Sequence, residues 1–259
     1  MLNKLVSIIC PMYNCERFAE KTIGSVLSQT YSNFELIIVD DNSKDKTVEI
    51  VNSIKDKRIK LLINEKNSGA AFSRNRALAM AIGEYIAFLD GDDVWAKDKL
   101  EKQLNFMEKH QYLFSYTDYE LIDESDKPLN IYYIGPKKVT YRKFLHIDYI
   151  GTSTVVYKKS IFPDLQIPND IYKRNDDALW LLLSKKTPCY RFPGIFSKYR
   201  RVEGSISSGR KSKLFQYHVI LYQKLYGFGK FRARFYALRN VFFYFYKQIF
   251  YKKRIKTTS

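Results

Sequence analysis

Three carboxylates crowd into the four residues Asp90-Gly91-Asp92-Asp93, directly after the apolar run EYIAFLD. Like charges at that spacing repel, and a folded chain tolerates them best around a cation. Mg²⁺ and Mn²⁺ take oxygen ligands, often one or two carboxylates completed by substrate phosphates. Gly91 permits a tight backbone between the acids. An exposed acidic turn, or a helix N-cap before Val94-Trp95, accounts for an isolated D-G-D-D just as well. A second acidic turn, Asp40-Asp41-Asn42-Ser43, follows FELIIVD, and a strand running through an Asx-rich turn into a helix is common. A third polar turn, Pro11-Met12-Tyr13-Asn14, follows VSIIC. No one of these turns decides a function alone. Their shared position, each at the end of an apolar run, is what carries weight.

The elements that must position them alternate. VSIIC (6–10), FELIIVD (34–40), IKLLI (59–63) and EYIAFLD (84–90) read as buried strands. Between them lie three helical segments. Arg17 to Leu27 has Phe18, Ile23, Val26 and Leu27 on one side; TVEIVNSI follows Ser43 and Asp45 as candidate caps; GAAFSRNRALAMA (69–81) is rich in helix formers. Strands apolar throughout, alternating with helices, predict an α/β fold with a mostly parallel sheet covered on both faces. In such sheets ligands bind beyond the carboxyl ends of the strands, where the three polar turns fall. After Trp95 a charged helix (Lys97 to His110) leads to aromatic segments, YLFSYTDYELI and LNIYYIG, that read as antiparallel or mixed strands. GTSTVVY (151–157) reads as a further strand and DDALWLLLSKK (176–186) as a short amphipathic helix. The division expected is a nucleotide lobe over 1–95, an acceptor lobe over 96–205, and a helical tail over 206–259.

Composition narrows the class. At 46% hydrophobic and 16% aromatic over 259 residues, the chain has enough apolar surface for a large core and does not read as disordered. Cys10, Cys15 and Cys189 show neither metal-ligand spacing nor a paired framework, which points to a reducing compartment. MLNKLVSIICPMYN lacks the pattern of a signal peptide, and VFFYFYKQIFY, interrupted by Lys247, is too short to span a bilayer. A cytoplasmic or peripheral location is expected. His110, His146 and His218 are scattered, without acid or Cys partners at ligand spacing, and read as surface or half-buried residues. Trp95 and Trp180 read as core, with Trp95 close enough to the acidic turn to touch a sugar, and Thr152, Ser153 and Thr154 as a strand interior or else a lining of the acceptor site.

Taken in order, PMYN, VDDNS, NSGAAFSRN and FLDGDD resemble glycosyltransferase family 2, the inverting transferases of the GT-A fold. The likeness is to short bacterial members that build surface polysaccharides, including those of the teichuronic-acid type. KDKLEKQLNFMEK, GTSTVVYKKSIF, NDDALWLLL and YRRVEGSISS extend it over nearly the whole chain. The resemblance implies a Rossmann-like central sheet and transfer of a sugar from a nucleotide-diphosphate donor, UDP by family habit, to a glycan hydroxyl. It implies that Pro11, Met12 and Tyr13 line the base, with Met12 standing where the family more often has Thr or Ser. Asp41 matches the acid at the uracil edge, with Asp40 beside it. Asn67, Gly69 and Arg74 approach the ribose and phosphates. Asp90 and Asp92 match the paired acids around Gly91 that hold Mn²⁺ or Mg²⁺, Asp92 as direct ligand, Asp90 at the ribose or a metal-bound water, and Asp93 in support. Asp176 matches the general base, with Asp177 as fallback and Asn175 where the family usually has Glu; without the other motifs, helix N-capping would be its default role. Arg200, Arg201, Ser205 and Ser207 match a loop folding over the diphosphate, or else an exposed arginine-bearing loop, and the family's His near Val202 is missing.

Charge is concentrated at the end of the chain. From Lys198 onward sixteen Lys and Arg stand against one acid, Glu203, which is +15 of the net +17. Apolar residues at 228, 231, 235, 238, 242, 245 and 249 form one helical stripe with Lys230, Arg232, Arg234, Arg239 and Lys247 off it. That is the composition of an interfacial helix, though a helix packed on the body or on a second subunit also fits. With the lipid-linked acceptors common in the family, the stripe points to an anionic membrane surface and a peripheral site on its inner face. A nucleic-acid-binding tail is the alternative; the nearly neutral, acid-bearing first 197 residues disfavour it. A dinucleotide-dependent oxidoreductase would need a G-x-G-x-x-G after the first strand, where PMYN stands. A catalytically dead scaffold is disfavoured by the intact acids at 90, 92 and 176.

Overall fold

In the computed structural model the protein is described over residues 3–146, 149–168, 171, 174–202 and 214–254. The first half runs β1 (Val6–Met12), α1 (Ala19–Leu27), β2 (Phe34–Asp40), α2 (Thr47–Ser53), β3 (Ile59–Ile63), α3 (Ala70–Met80) and β4 (Tyr85–Phe88). After the acidic turn come β5 (Val94–Trp95), α4 (Lys99–His110), β6 (Phe114–Ile122), β7 (Pro128–Tyr133), β8 (Lys138–Val139) and α5 (Tyr141–Phe144). A 3₁₀ turn (Thr152–Thr154) then leads into β9 (Val156–Lys158), followed by α6 (Asn175–Ser184), β10 (Cys189–Arg200), α7 (Leu214–Tyr226), α8 (Lys230–Phe250) and β11 (Lys252–Arg254).

β3, β2, β1 and β4 lie side by side and parallel, as their apolar sequences require. Beyond β4 the sheet continues antiparallel through β9, β6, β7 and β11, while β10 runs parallel to β6. Successive β1 side chains enter opposite cores. Ile9 joins Phe88, Ala77 of α3 and Trp180 of α6, whereas Ile8 and Cys10 join Ile23 of α1 and Leu104 of α4. Two buried faces explain why these strands carry no polar alternation.

Several local expectations change. The first helix begins at Ala19, and Asp45 rather than Ser43 receives the Thr47 amide at 3.0 Å. GTSTVVY is a strand only from Val156, because the preceding hydroxyl run is wound into the 3₁₀ turn. The Ser153 carbonyl there accepts the Trp95 indole N–H at 2.6 Å and the Ser197 hydroxyl at 2.8 Å. β10 was not legible in the sequence: Pro193 and Gly194 interrupt it, and its register on β6 shifts on both sides of Ile195. His218, expected at or near the surface, is fully buried in the core beside Tyr222. Trp95 and Trp180 are core residues as read.

Lys99 is a buried cation. Its ammonium donates to Gln103 Oε1 at 2.8 Å and lies 4.3 Å from the Trp95 ring centre. Burial pulls its pKa down from 10.5 to about 7. Between those two values the unfolded chain binds the extra proton, so stability rises with pH across that window, and below it the full cost of burying the charge is present. Chemical denaturation at pH 7 and pH 9.5 should show that rise in the wild type and its loss in Lys99→Met.

Candidate active site

The carboxyl ends of β1, β2 and β4 bring the three polar turns to one edge of the sheet. The Asp41 amide donates to the Met12 carbonyl at 2.8 Å, continuing the β1–β2 pairing into both turns. Gly91 sits so close to the first turn that a Cβ there would lie 2.8 Å from Met12 Cγ and 3.1 Å from the Pro11 carbonyl. A larger residue would force the acidic turn away from β1. Met12 is itself buried, so its side chain serves the core and its backbone faces the turn, while Tyr13 is 46% exposed.

The acids of the Asp40 turn point to different tasks. Asp40 is buried and closes its own turn, accepting the Ser43 amide at 2.9 Å and the Ser43 hydroxyl. This is the Asx-turn account, and it leaves Asp40 little to offer a ligand. Asp41 accepts the amides of Ser68 at 2.9 Å and Gly69 at 2.7 Å, and the Asn64 side chain at 2.7 Å. It thereby fixes the loop that opens α3, where Gly69 takes φ +87° as N-cap. Asn67 is exposed in that loop.

From α3, Arg74 reaches two elements at once. Its guanidinium pairs with Asp90 Oδ1 at 2.5 Å and donates to Asn175 Oδ1 at the start of α6. The next residue, Asp176, is half-buried and accepts the Thr152 hydroxyl at 3.2 Å. Arg74 thus ties the acidic turn to the helix that carries Asp176. Asp177 is buried and paired with Arg174 at 2.5 Å, which occupies it. Asn175, where an acid was the family habit, gives Arg74 a neutral partner and leaves Asp90 to balance its charge.

Within Asp90-Gly91-Asp92-Asp93 the three carboxylates separate by environment. Asp93 is buried; it accepts the Ser153 hydroxyl at 2.5 Å and the Arg200 amide at 2.9 Å. Burial, with Asp92 and Asp90 beside it, drives its pKa well up. Asp92 is half-buried and its carboxylate has no other side chain as hydrogen-bond partner among the described residues. Burial first, then the charge of Asp90, raises it to about 6. Asp90 has one oxygen held by Arg74, and its amide donates to Ser153 Oγ at 3.0 Å.

Arg200 departs from the expectation of a loop over phosphates. It ends β10, is 2% exposed, and its guanidinium donates to the Asp92 carbonyl at 2.7 Å and the Asp123 carbonyl at 3.0 Å while pairing with Asp126 at 2.6 Å. Strand geometry and buried partners make it a strut beneath the acidic turn. Arg201 follows it with an exposed side chain, and Ser205 and Ser207 lie outside the described residues. Ser153 is the site residue the sequence reading undervalued: one hydroxyl accepts from Asp90 and donates to Asp93. Three hydroxyls in a row ahead of an apolar VVY were the available signal.

Among the described residues no three His, Cys, Asp or Glu side chains converge as a self-sufficient metal site. Two carboxylates with one inward-turned neighbour fit a hard cation that takes its remaining oxygens from water and a diphosphate. They do not fit a metal caged by protein alone.

A sheet whose parallel strands gather acids beyond their carboxyl ends is that of an α/β protein with its ligand site at that edge. The chain belongs to glycosyl transferase family 2, whose model matches residues 7–165, and it is a glycosyltransferase. It is 44% identical over 209 residues to the putative teichuronic acid biosynthesis glycosyltransferase TuaG of Bacillus subtilis, covering 80% of this chain and 82% of that one. It is 42% identical over 212 residues to Escherichia coli WfgD, a UDP-Glc:alpha-D-GlcNAc-diphosphoundecaprenol beta-1,3-glucosyltransferase, covering 81% and 82%. Among solved structures, residues 1–349 of S. aureus TarS in complex with UDP superpose with TM-score 0.69 at 20% identity, over 91% of this chain and 70% of that one. The mannosyltransferase PcManGT of Pyrobaculum calidifontis, in complex with GDP-Man and Mn²⁺, superposes with TM-score 0.66 at 17% identity, over 92% and 70%. These two likenesses establish the GT-A fold.

Proposed function

We propose that this protein transfers a sugar from a UDP-sugar to a hydroxyl of a lipid-linked bacterial surface glycan, with inversion at the anomeric carbon. The observation that supports the reading is the bridge made by Arg74, which joins Asp90 of the acidic turn to Asn175, the neighbour of Asp176 in the first turn of α6. Tyr13 and the Pro11-Met12 backbone flank the base, Asp41 stands at its edge with both oxygens already accepting from Asn64, Ser68 and Gly69, so that it shapes the base-binding loop, and Asn67, Gly69 and Arg74 lie toward the ribose and phosphates. Residues 1–95 hold the donor, 96–205 the acceptor, and 206–259 form the tail.

In this mechanism Asp176 takes the proton of the acceptor hydroxyl as its oxygen attacks the anomeric carbon from the face opposite the diphosphate. The sugar–phosphate bond breaks and its electrons pass to the diphosphate. Asp92 and Asp90 would hold Mn²⁺ or Mg²⁺, which when bound neutralises the charge growing on the leaving group. Thr152 orients the base, Arg74 sets the distance between base and acids, and Arg200 keeps the turn from collapsing. Arg200 therefore acts on the phosphates indirectly. The relatives' lipid-diphosphate acceptor and the basic, aromatic α8 support a peripheral position on the inner face of an anionic membrane.

A thermal-shift panel of UDP-, GDP-, dTDP- and CMP-sugars, each with and without Mn²⁺, tests the reading. Stabilisation is expected from UDP-sugars and is expected to need the metal; at a hundred times Kd it corresponds to about 2.7 kcal/mol. A panel in which no nucleotide sugar raises the melting temperature would remove the proposal.

A further inference from the structure

α8 has two unlike faces. Ala233, Ala237 and Asn240 are buried on the enzyme side, where the Asn240 amide donates to the Tyr222 hydroxyl of α7 at 3.4 Å. On the opposite side Phe231, Phe235, Leu238, Phe242, Phe245 and Ile249 are 56–89% exposed. At 3.6 residues per turn these six fall within about 80° of one another. Lys230 and Arg234 flank the stripe on one side, Arg232 and Arg239 on the other, and no acid occurs after Glu203. Among the described residues no helix is long and apolar enough to cross a membrane, so this stripe would lie along a surface.

The helix is also tied, through the strand that follows it, to the segment that leads to Thr152. β11, directly after it, pairs with β7 from Lys252 opposite Tyr133 to Arg254 opposite Ile131. The Ile134 amide donates to the Tyr251 carbonyl at 3.0 Å, and the Tyr251 ring meets Tyr149 with centroids 5.1 Å apart. Tyr149 lies three residues before Thr152, whose hydroxyl donates to Asp176.

From these observations we infer that the outward face of α8 inserts into an anionic bilayer surface and, through β11 and Tyr251, fixes the height of the Asp176 cleft above it, so that lipid-linked acceptors are preferred to the same glycan in water. Charge chooses the occupant. A second copy docked on this face would bring two sets of basic flanks together with no acid to offset them, whereas anionic headgroups complement both flanks while the rings enter the acyl boundary. The acceptor preference rests on the glycosyl-transfer reading; bilayer insertion does not.

The test uses the full chain with vesicles of phosphatidylcholine alone or mixed with phosphatidylglycerol. Wild type should sediment with the mixed vesicles and be released by salt. The triple variant Phe235→Ser/Phe242→Ser/Ile249→Ser, all at exposed sites, should keep its melting temperature and lose about 100-fold or more in partitioning. Arg232→Glu/Arg234→Glu should lose the preference for anionic vesicles. On an acceptor displayed in the vesicles, kcat/KM of the triple variant should fall at least about tenfold, with kcat/KM on a short-chain, water-soluble acceptor unchanged. Equal vesicle binding by wild type and the triple variant would overturn insertion. So would a wild-type dimer in light scattering that the triple variant converts to monomer while vesicle binding persists. Equal loss on both acceptors would overturn the height-setting role. Absence of transfer to any acceptor would instead count against glycosyl transfer, leaving the vesicle result to stand by itself.

Discussion

Asp176→Asn is expected to lower kcat by about 10²–10⁴-fold while leaving donor affinity within about twofold. The substitution keeps the shape of the side chain and an oxygen for the Thr152 hydroxyl, which now lies 3.2 Å from Asp176 Oδ2. It removes the proton acceptor and, with one oxygen left, gives up either that contact or the one from the Asp177 amide to Asp176 Oδ1 at 3.0 Å, a local change at the start of α6. Donor contacts on the proposed reading come from β1, β2, α3 and the acidic turn, and those elements are untouched. Steady-state kinetics for kcat, with calorimetric titration of UDP for affinity, separates the two effects. Asp177→Asn is the control: it breaks a buried pair with Arg174 and should show first as a lower melting temperature. If Asp177→Asn abolished turnover at unchanged stability while Asp176→Asn stayed active, the base would have to be reassigned to Asp177.

Asp92→Asn should abolish the metal-dependent part of donor binding, so that UDP with Mn²⁺ stabilises the variant no more than UDP alone. The same replacement should raise the stability of the ligand-free protein. Burial and the neighbouring Asp90 lift the Asp92 pKa from 3.8 to about 6. Between those values the folded state binds more protons than the unfolded, so stability falls as pH rises through the window and stays reduced above it. Removing the charge should return on the order of 2 kcal/mol at pH 7. The two effects share a cause: a site that disfavours a lone carboxylate is one that welcomes a cation. It follows that metal-assisted donor binding in the wild type should weaken about tenfold per pH unit below pH 6 as Asp92 takes up a proton. Calorimetric titrations at pH 5, 6 and 7.5 measure it. Unchanged affinity across that range would take Asp92 out of the metal site.

Much of the frame was legible in the residues. β1, β2 and β4 are buried on both faces, and such strands are nearly continuous apolar runs, so VSIIC, FELIIVD and EYIAFLD announced themselves even though β1 and β2 bury one polar pair, Ser7 and Glu35. Turns follow those strands because the chain must reverse there, and acids in such turns mark the ligand edge of a parallel sheet. The order of those turns also carried the family. The later strands were harder. β10 takes a shape that Pro193 and Gly194 conceal, and its partner β6 supplies the missing order from far along the chain.

Which acid does what was beyond any local reading. Asp90, Asp92 and Asp93 look alike in sequence, yet Asp93 is drawn inward by Ser153, 60 residues later, and by the Arg200 amide, 107 residues later. Arg200 likewise reads as a loop cation until β10 buries it. The aromatic stripe of α8 was visible as a periodicity, and periodicity marks one apolar face without saying whether that face turns inward. Here Ala233 and Ala237, small enough to let α7 approach, took the inner side, and the large rings were left outside. Sequence fixes what each segment can bury and which turns can hold charge. Three-dimensional packing assigns the partners, because burial and pairing are set by residues that only the fold brings within a few ångströms.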